Sequence, residues 1–244
     1  MAAEKTRFPK PVFLATLGII VLVLLISLFK SITSPKTTIY TKVKVSQGFW
    51  WANTTKPNAW FISAIKKGDR EVDLFGNTSA KVLEVRHYPH FSEASSYEDN
   101  YQIYLTLALK ADYKSGAGEA VFKRNAIAIG APIELSLSGT QVTGTIIDIS
   151  PNPFEEKEVE KTIELTKRFA YPWEFEAIRV GSTYSDGEGV VFEVTGKSAV
   201  PTTSLSPDAY GNLSTQTRES TRYITVSARV LAKERAGQYF FGEE

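Results

Sequence analysis

The run VFLATLGIIVLVLLISLF, Val12 to Phe29, carries no charge and is interrupted only by Thr16, Gly18 and Ser27. As a helix it would be about 27 Å long at 1.5 Å per residue, close to the roughly 30 Å hydrocarbon thickness of a bilayer. It is longer than the usual core of a cleaved signal peptide, and FKSITS after it offers no A-x-A cleavage site. The run therefore reads as an uncleaved signal anchor over 12–29. Lys5, Arg7 and Lys10 flank one end, while Lys30, Lys36, Lys42 and Lys44 flank the other, so the charge count alone does not orient it. Large domains translocate largely regardless of charge, and a basic segment ahead of a single apolar helix is the usual signal-anchor arrangement. The expectation is a cytoplasmic tail over 1–11 and a cell-membrane protein whose C-terminal part lies outside.

Beyond the anchor the pattern changes to alternation. TIYTKVKVS puts Ile39, Thr41, Val43 and Val45 on one side and Tyr40, Lys42 and Lys44 on the other, the period of a strand with one solvated face. SAKVLEVRHY, YQIYLTLALKA, APIELSLSG and TGTIIDIS repeat it between Gly, Pro, Asn and Asp breaks. NPFEEKEVEKTIELTKRF is the one stretch that admits a helix, and its second half, with Thr162 and Thr166, suits a strand. Of the 244 residues, 43% are hydrophobic, ample for a core, and none is cysteine, which removes disulfides, thiolate zinc sites and cysteine nucleophiles. The formal net charge is +1 with both signs interspersed, which argues against nucleic acid as a partner.

An internal repeat organises the soluble part. NAWFISAIKKGDREVD from Asn58 aligns without a gap on YPWEFEAIRVGSTYSD from Tyr171, matching Trp60 with Trp173 and Gly68 with Gly181. YLTLALKADYKSGAGEAVF likewise resembles ITVSARVLAKERAGQYFF. The expected fold class is all-β: a transmembrane helix, then two related β-barrel or β-sandwich-like units at 37–150 and 157–244, the second shorter. Trp60 and Trp173, repeated ahead of matching glycine turns, are expected in the core. Trp50 and Trp51 have no counterpart and remain open to loop packing, a membrane interface, or a glycan or protein partner.

The order of anchor, strand, AWFISAIKKGD, AKVLEV, AIGAPIELSL and VTGTIIDIS resembles a bacterial family of single-pass membrane proteins with β repeats, known only as a domain of unknown function. Residues 129–150 are similar to β-barrel segments of membrane-fusion adaptor proteins, which also carry a long α-helical hairpin that this sequence lacks. The resemblance implies an envelope location and a β architecture.

Chemistry-bearing residues are sparse. His87 and His90, with Glu93, Glu98 and Asp99 following, could supply metal ligands or a general base, or form a solvated turn. Asp69, Asp73 and Asp186 follow the repeat glycines and suit turn formation. No nucleophile elbow or phosphate loop is present. The expectation is no enzyme, no catalytic residue, no cofactor and no metal. Gly196 to Thr221, mostly Ser, Thr, Pro and Gly, reads as a long exposed polar loop whose Tyr210, with Trp50 and Trp51, is a candidate partner or glycan contact. The leading function is a scaffold or adaptor of a bacterial envelope assembly, with the membrane and a protein as partners; the alternative is a polysaccharide-binding module. The first unit ends in a strand pair, 131–150, that the second lacks, which points to an open sheet edge and a homo-oligomer.

Overall fold

The computed structural model describes residues 10–32, 36–46, 57–89, 101–114 and 119–243. Helix α1, Lys10–Ile32, precedes a part of the chain built almost wholly of strands. The side chains described in α1 run over 15–26, which rise about 18 Å at 1.5 Å per residue. Among the described residues no helix is long and apolar enough to cross a membrane.

The first sheet contains β1 (Thr37–Ser46), β2 (Arg70–Val72), β3 (Thr78–Pro89), β4 (Tyr101–Lys114), β5 (Glu119–Phe122), β6 (Asn125–Ala126), β7 (Pro132–Ser136) and β8 (Gln141–Ser150). Its order is β2-β3-β4-β1-β8-β7, with β5 and β6 extending from β4. The two ends curl towards each other: Ser138 Oγ beyond β7 donates to the Arg70 carbonyl at 3.4 Å, and Thr140 Oγ1 donates to the Ala64 carbonyl at 2.9 Å. The sheet is thus nearly a barrel. Alternation fills its interior with Val43, Val82, Leu105, Leu107, Leu135 and Val142, all almost fully buried. Helix α2, Ala59–Ala64, closes the barrel with Phe61, aided by Ile65 at its C-cap, one turn apart on one face. Gly144 is required where β8 meets β1, since a Cβ there would lie 2.5 Å from Val43 Cγ1 and 2.7 Å from the Lys44 carbonyl oxygen.

The second sheet contains β9 (Lys157–Ala170), β10 (Thr183–Ser185), β11 (Val190–Pro207), β12 (Leu213–Arg235) and β13 (Gln238–Phe240), with α3, Pro172–Ala177, after β9. β12 pairs with β11 and β13 and also with β9. Strand, short helix, short strand, two long strands and short strand therefore occur in the same order in both sheets, with the same pairings. The Gly68 N–H donates to the Val82 carbonyl at 2.9 Å, and the Gly181 N–H donates to the Val194 carbonyl at 2.8 Å. Both glycines hold a positive φ, +92° and +86°. β9 occupies the place of β1, and the segment that admitted a helix is strand from Lys157 onward, with no helix in its earlier residues. The second sheet is open, neither barrel nor sandwich.

Two expectations are corrected. Trp60 and Trp173 lie on the surface, 60% and 65% exposed. A helix of six residues can turn only one stripe inward: in α2 that stripe is Phe61, and Trp60, about 100° around the axis, packs edge-on against its ring at 5.5 Å. The polar stretch 196–221 is a ribbon in which β11 and β12 stay paired out to Pro207 and Leu213. At its tip Asp208 Oδ1 accepts from the Tyr210 and Asn212 N–H groups, both at 2.8 Å, and Asp73 makes the same turn at Phe75 and Asn77. Regular pairing satisfies the backbone that the composition alone would leave to water.

Phe61→Ala is expected to lower unfolding free energy by about 3 kcal/mol or more, and Trp60→Ala by under about 1 kcal/mol, as read by denaturant titration.

Candidate functional site

The two sheets meet along a seam of charges. On β1, Thr41 and Val43 point into the barrel, so Lys42 points out; yet it is only 4% exposed, because the second sheet packs there. Its Nζ donates to Glu243 Oε2 at 2.7 Å and also pairs with Glu156. Lys233 on β12, equally buried, pairs with the same two carboxylates, and Arg235 Nη2 donates to Glu156 at 2.8 Å. Glu156 immediately precedes β9 and Glu243 follows β13, so the two strands that flank this part of β12 are both tied to the centre of the first sheet.

A second cluster lies around Arg86 on β3. Its Nη1 donates to Asp186 Oδ2 at 2.8 Å and its Nη2 to Glu158 at 3.1 Å, while Tyr88 Oη donates to Asp186 at 3.0 Å. The turn bearing Asp186 docks directly on β3. The His87 N–H donates to the Asp186 carbonyl at 2.8 Å, and the Val85 N–H donates to Glu188 Oε1 at 3.2 Å. Gly187 makes the approach feasible, since its φ is +107° and a Cβ would fall 2.5 Å from the Val85 carbonyl oxygen.

The seam sets the ionisation of its members. Burial pushes the Glu156 carboxyl up, but hydrogen bonds from Lys233 and Lys42 outweigh it and hold the group at about 2. Burial also raises Asp186, and the Glu188 and Gly189 N–H groups with the Arg86 guanidinium pull it below the usual carboxylate range. Burial pushes Tyr184 up to about 12 and raises Tyr88 further, with the Asp186 charge adding to the latter. Burial lowers His87 against a smaller opposing pull from Asp186. The imidazole is therefore neutral at pH 7, with Nδ1 2.8 Å from Tyr184 Oη, whose proton goes to the His87 carbonyl at 2.9 Å. Charges locked into mutual pairs in this way orient the sheets.

The opposite face of the second sheet is apolar and, among the described residues, uncovered. A recess of about 510 Å³ is lined by Leu165, Trp173, Ile178, Phe192, Ile224 and Val226 among others. The equivalent face of the first sheet is the barrel interior. Trp173 thus borders an open hydrophobic surface, and β9 beside it pairs with β12 and with no other strand among the described residues.

Of the sequence-derived candidates, Trp50, Trp51 and His90 lie outside the described residues. Tyr210 stands 90% exposed at the ribbon tip. Trp60 and Trp173 sit on α2 and α3, and Gly68 and Gly181 in the following turns. Asp69, Asp73 and Asp186 each hold a turn through their carboxylates, with Asp186 also in the seam. Among the described residues no group of three or more His, Asp or Glu could hold a metal ion. The seam itself was missed: Lys42 and Lys233 lie in ordinary alternating strands, and nothing in that alternation marks the outward face for burial by another sheet. Comparison with protein-family models, curated proteins and solved structures finds no match.

Because Glu156 and Asp186 are lowered in the fold, their stabilisation is full above their ordinary values near 4.5 and 3.8 and is lost as pH falls, for Glu156 down to about 2. His87, also lowered, adds stability above 6.5 that is lost as pH falls below it. Melting temperature is expected to level off above about pH 6.5 and decline in two stages on acidification; Glu156→Gln should lower the plateau and shallow the acid limb. Gly187→Ala is expected to cost about 1–3 kcal/mol in denaturant titration, through strain at a positive φ and the clash with β3.

Proposed function

We propose that the chain is a non-enzymatic, membrane-anchored scaffold or adaptor of a bacterial envelope assembly, with 1–11 cytoplasmic and 37–244 outside. The observation that carries this reading is α1. Between Leu17 and Ile26 nine large aliphatic side chains stand exposed. Each is worth roughly 1.5–3 kcal/mol on leaving water, so such a helix belongs in lipid. The apolar sequence continues on both sides to Val12 and Phe29, which supplies the length of a span. Two sheets held in fixed relation by buried ion pairs form a rigid body suited to holding other proteins at the membrane, and the family resemblance points the same way.

A second reading, a polysaccharide-binding module, draws on the exposed rings of Trp60, Trp173 and Tyr210, which could stack on sugars. It predicts retardation in gels containing envelope polysaccharide that Trp173→Ala or Tyr210→Ala abolishes; the scaffold reading predicts none.

The full-length protein is expected to stay with membranes after alkaline carbonate extraction, and Leu22→Arg with Leu24→Arg should release it. In intact spheroplasts, added protease is expected to digest the β part. Protection until the membrane is permeabilised would reverse the orientation.

A further inference from the structure

We infer that β9 is a self-recognition edge: two copies of the chain join their second sheets by antiparallel pairing of β9 with β9, about a two-fold axis at Ile163. The inference stands on the sheet edge and goes beyond the scaffold reading.

β1 shows what the edge is built for. β1 and β9 hold the same place beside their long partners, β4 and β12, but β1 carries β8 antiparallel on its other edge, whereas that edge of β9 has no partner among the described residues. A strand of fourteen residues with an unpaired row of N–H and C=O groups is a template for another strand. It has no proline, and its protections are the charges it carries and a bulge at Arg168–Phe169, where the register against β12 shifts.

The charge pattern selects the occupant. KEVEKTIELTKRFA is acidic towards its start and basic towards its end, so it complements its own reverse. With Ile163 facing its own copy, Glu158 faces Arg168 twice, Lys161 faces Leu165, Glu160 faces Thr166, and no like charges are opposed. Moving the axis to Thr162 sets Glu160 against Glu164 and Lys157 against Lys167; moving it to Glu164 opposes that residue to itself. Centring on Leu165 avoids repulsion but makes no opposite-charge pair. Cross-strand charge pairs of the right sign favour a register and like charges disfavour it. The resulting interface is isologous, the usual form for a homodimer, and brings the two Leu165–Trp173 recesses to its flanks. Both edges would then be consumed, so association stops at two chains.

The chain has no cysteine, so single introduced cysteines report on the register. Facing Cα atoms in an antiparallel pair lie about 4.5–5.5 Å apart, within reach of a disulfide. With the full-length protein in membranes and in detergent, oxidised with copper phenanthroline, Ile163→Cys is expected to give mostly disulfide dimer and Leu165→Cys several-fold less. The double variant Val159→Cys with Lys167→Cys, whose own two thiols sit about 26 Å apart along one extended strand, should also dimerise, guarding against a local fault at Ile163. Arg168→Glu on the Ile163→Cys background should cut the dimer several-fold, and Arg168→Lys should leave it. Equal dimer from Ile163→Cys and Leu165→Cys, or none from both Ile163→Cys and the double variant, overturns the proposal. The detergent arm keeps this separate from anchoring, which is read by carbonate extraction.

Discussion

Lys42 is the side chain around which the two sheets are arranged. It sits on the central strand of the barrel, and its ammonium is taken out of water by Glu156, before β9, and Glu243, after β13, while Lys233 on β12 between those strands meets the same carboxylates. Arg235 joins them through Glu156, so three cations share the two carboxylates. Removing one member of such a group leaves an uncompensated buried charge at a cost of about 3–5 kcal/mol, whereas an apolar replacement of the whole set can be neutral or stabilising. The energy of the seam is therefore a poor reason for its presence. Its geometry is a better one, because ion pairs have direction: an apolar contact would let the sheets slide, and this network fixes one docking. The Arg86–Asp186 pair and the backbone bond from His87 to the Asp186 carbonyl repeat the constraint at a second point, which prevents rotation about the first.

The same element order yields a barrel in one half and an open sheet in the other, for reasons that can be traced to residues. The barrel interior needs large apolar groups from every strand, and Leu105, Leu107 and Leu109 supply them from β4. At the positions matched by pairing, β12 has Val226, Ala228 and Val230, which are smaller overall, and α3 has Glu174 where α2 has the buried Phe61. Glu174 instead turns back to accept from the Tyr171 N–H at 2.7 Å and pairs with Lys167 at the surface. A helix that caps a core in one half thus sits on the rim of an uncovered face in the other.

Much of the β architecture was legible in the sequence, because alternation reports directly on which strand face is buried: Ile39, Thr41, Val43 and Val45 are all inside. Glycine turns were equally legible, since Gly68 and Gly181 occupy conformations that other residues resist. The errors share one cause. Whether Lys42 faces water or another sheet, and whether Trp60 or its neighbour Phe61 fills the barrel, depends on what packs against a face, and periodicity names faces without naming neighbours. The ribbon at 196–221 was missed differently: its Ser, Pro and Gly favour turns while its Thr suits an exposed strand, and only its pairing, Thr203 with Thr217 and Leu205 with Thr215, decides between them.

The spacing between anchor and barrel limits how the body can be presented. Four residues separate Ile32 of α1 from Thr37 of β1, and a chain that short spans at most about 18 Å even when fully extended. With α1 in a bilayer as proposed, the barrel would stay close to the surface from which the helix emerges. Because the seam ties the second sheet to β1, that sheet inherits the same restriction in height. Copies anchored in one layer, as proposed, would meet at a raised effective concentration and with a narrowed set of orientations, so a sheet edge too weak to associate in dilute solution could pair there. On the proposed reading, anchor, seam and edge form one chain of dependence: the helix would set the layer, the ion pairs carry it to the second sheet, and the open strand would act within it.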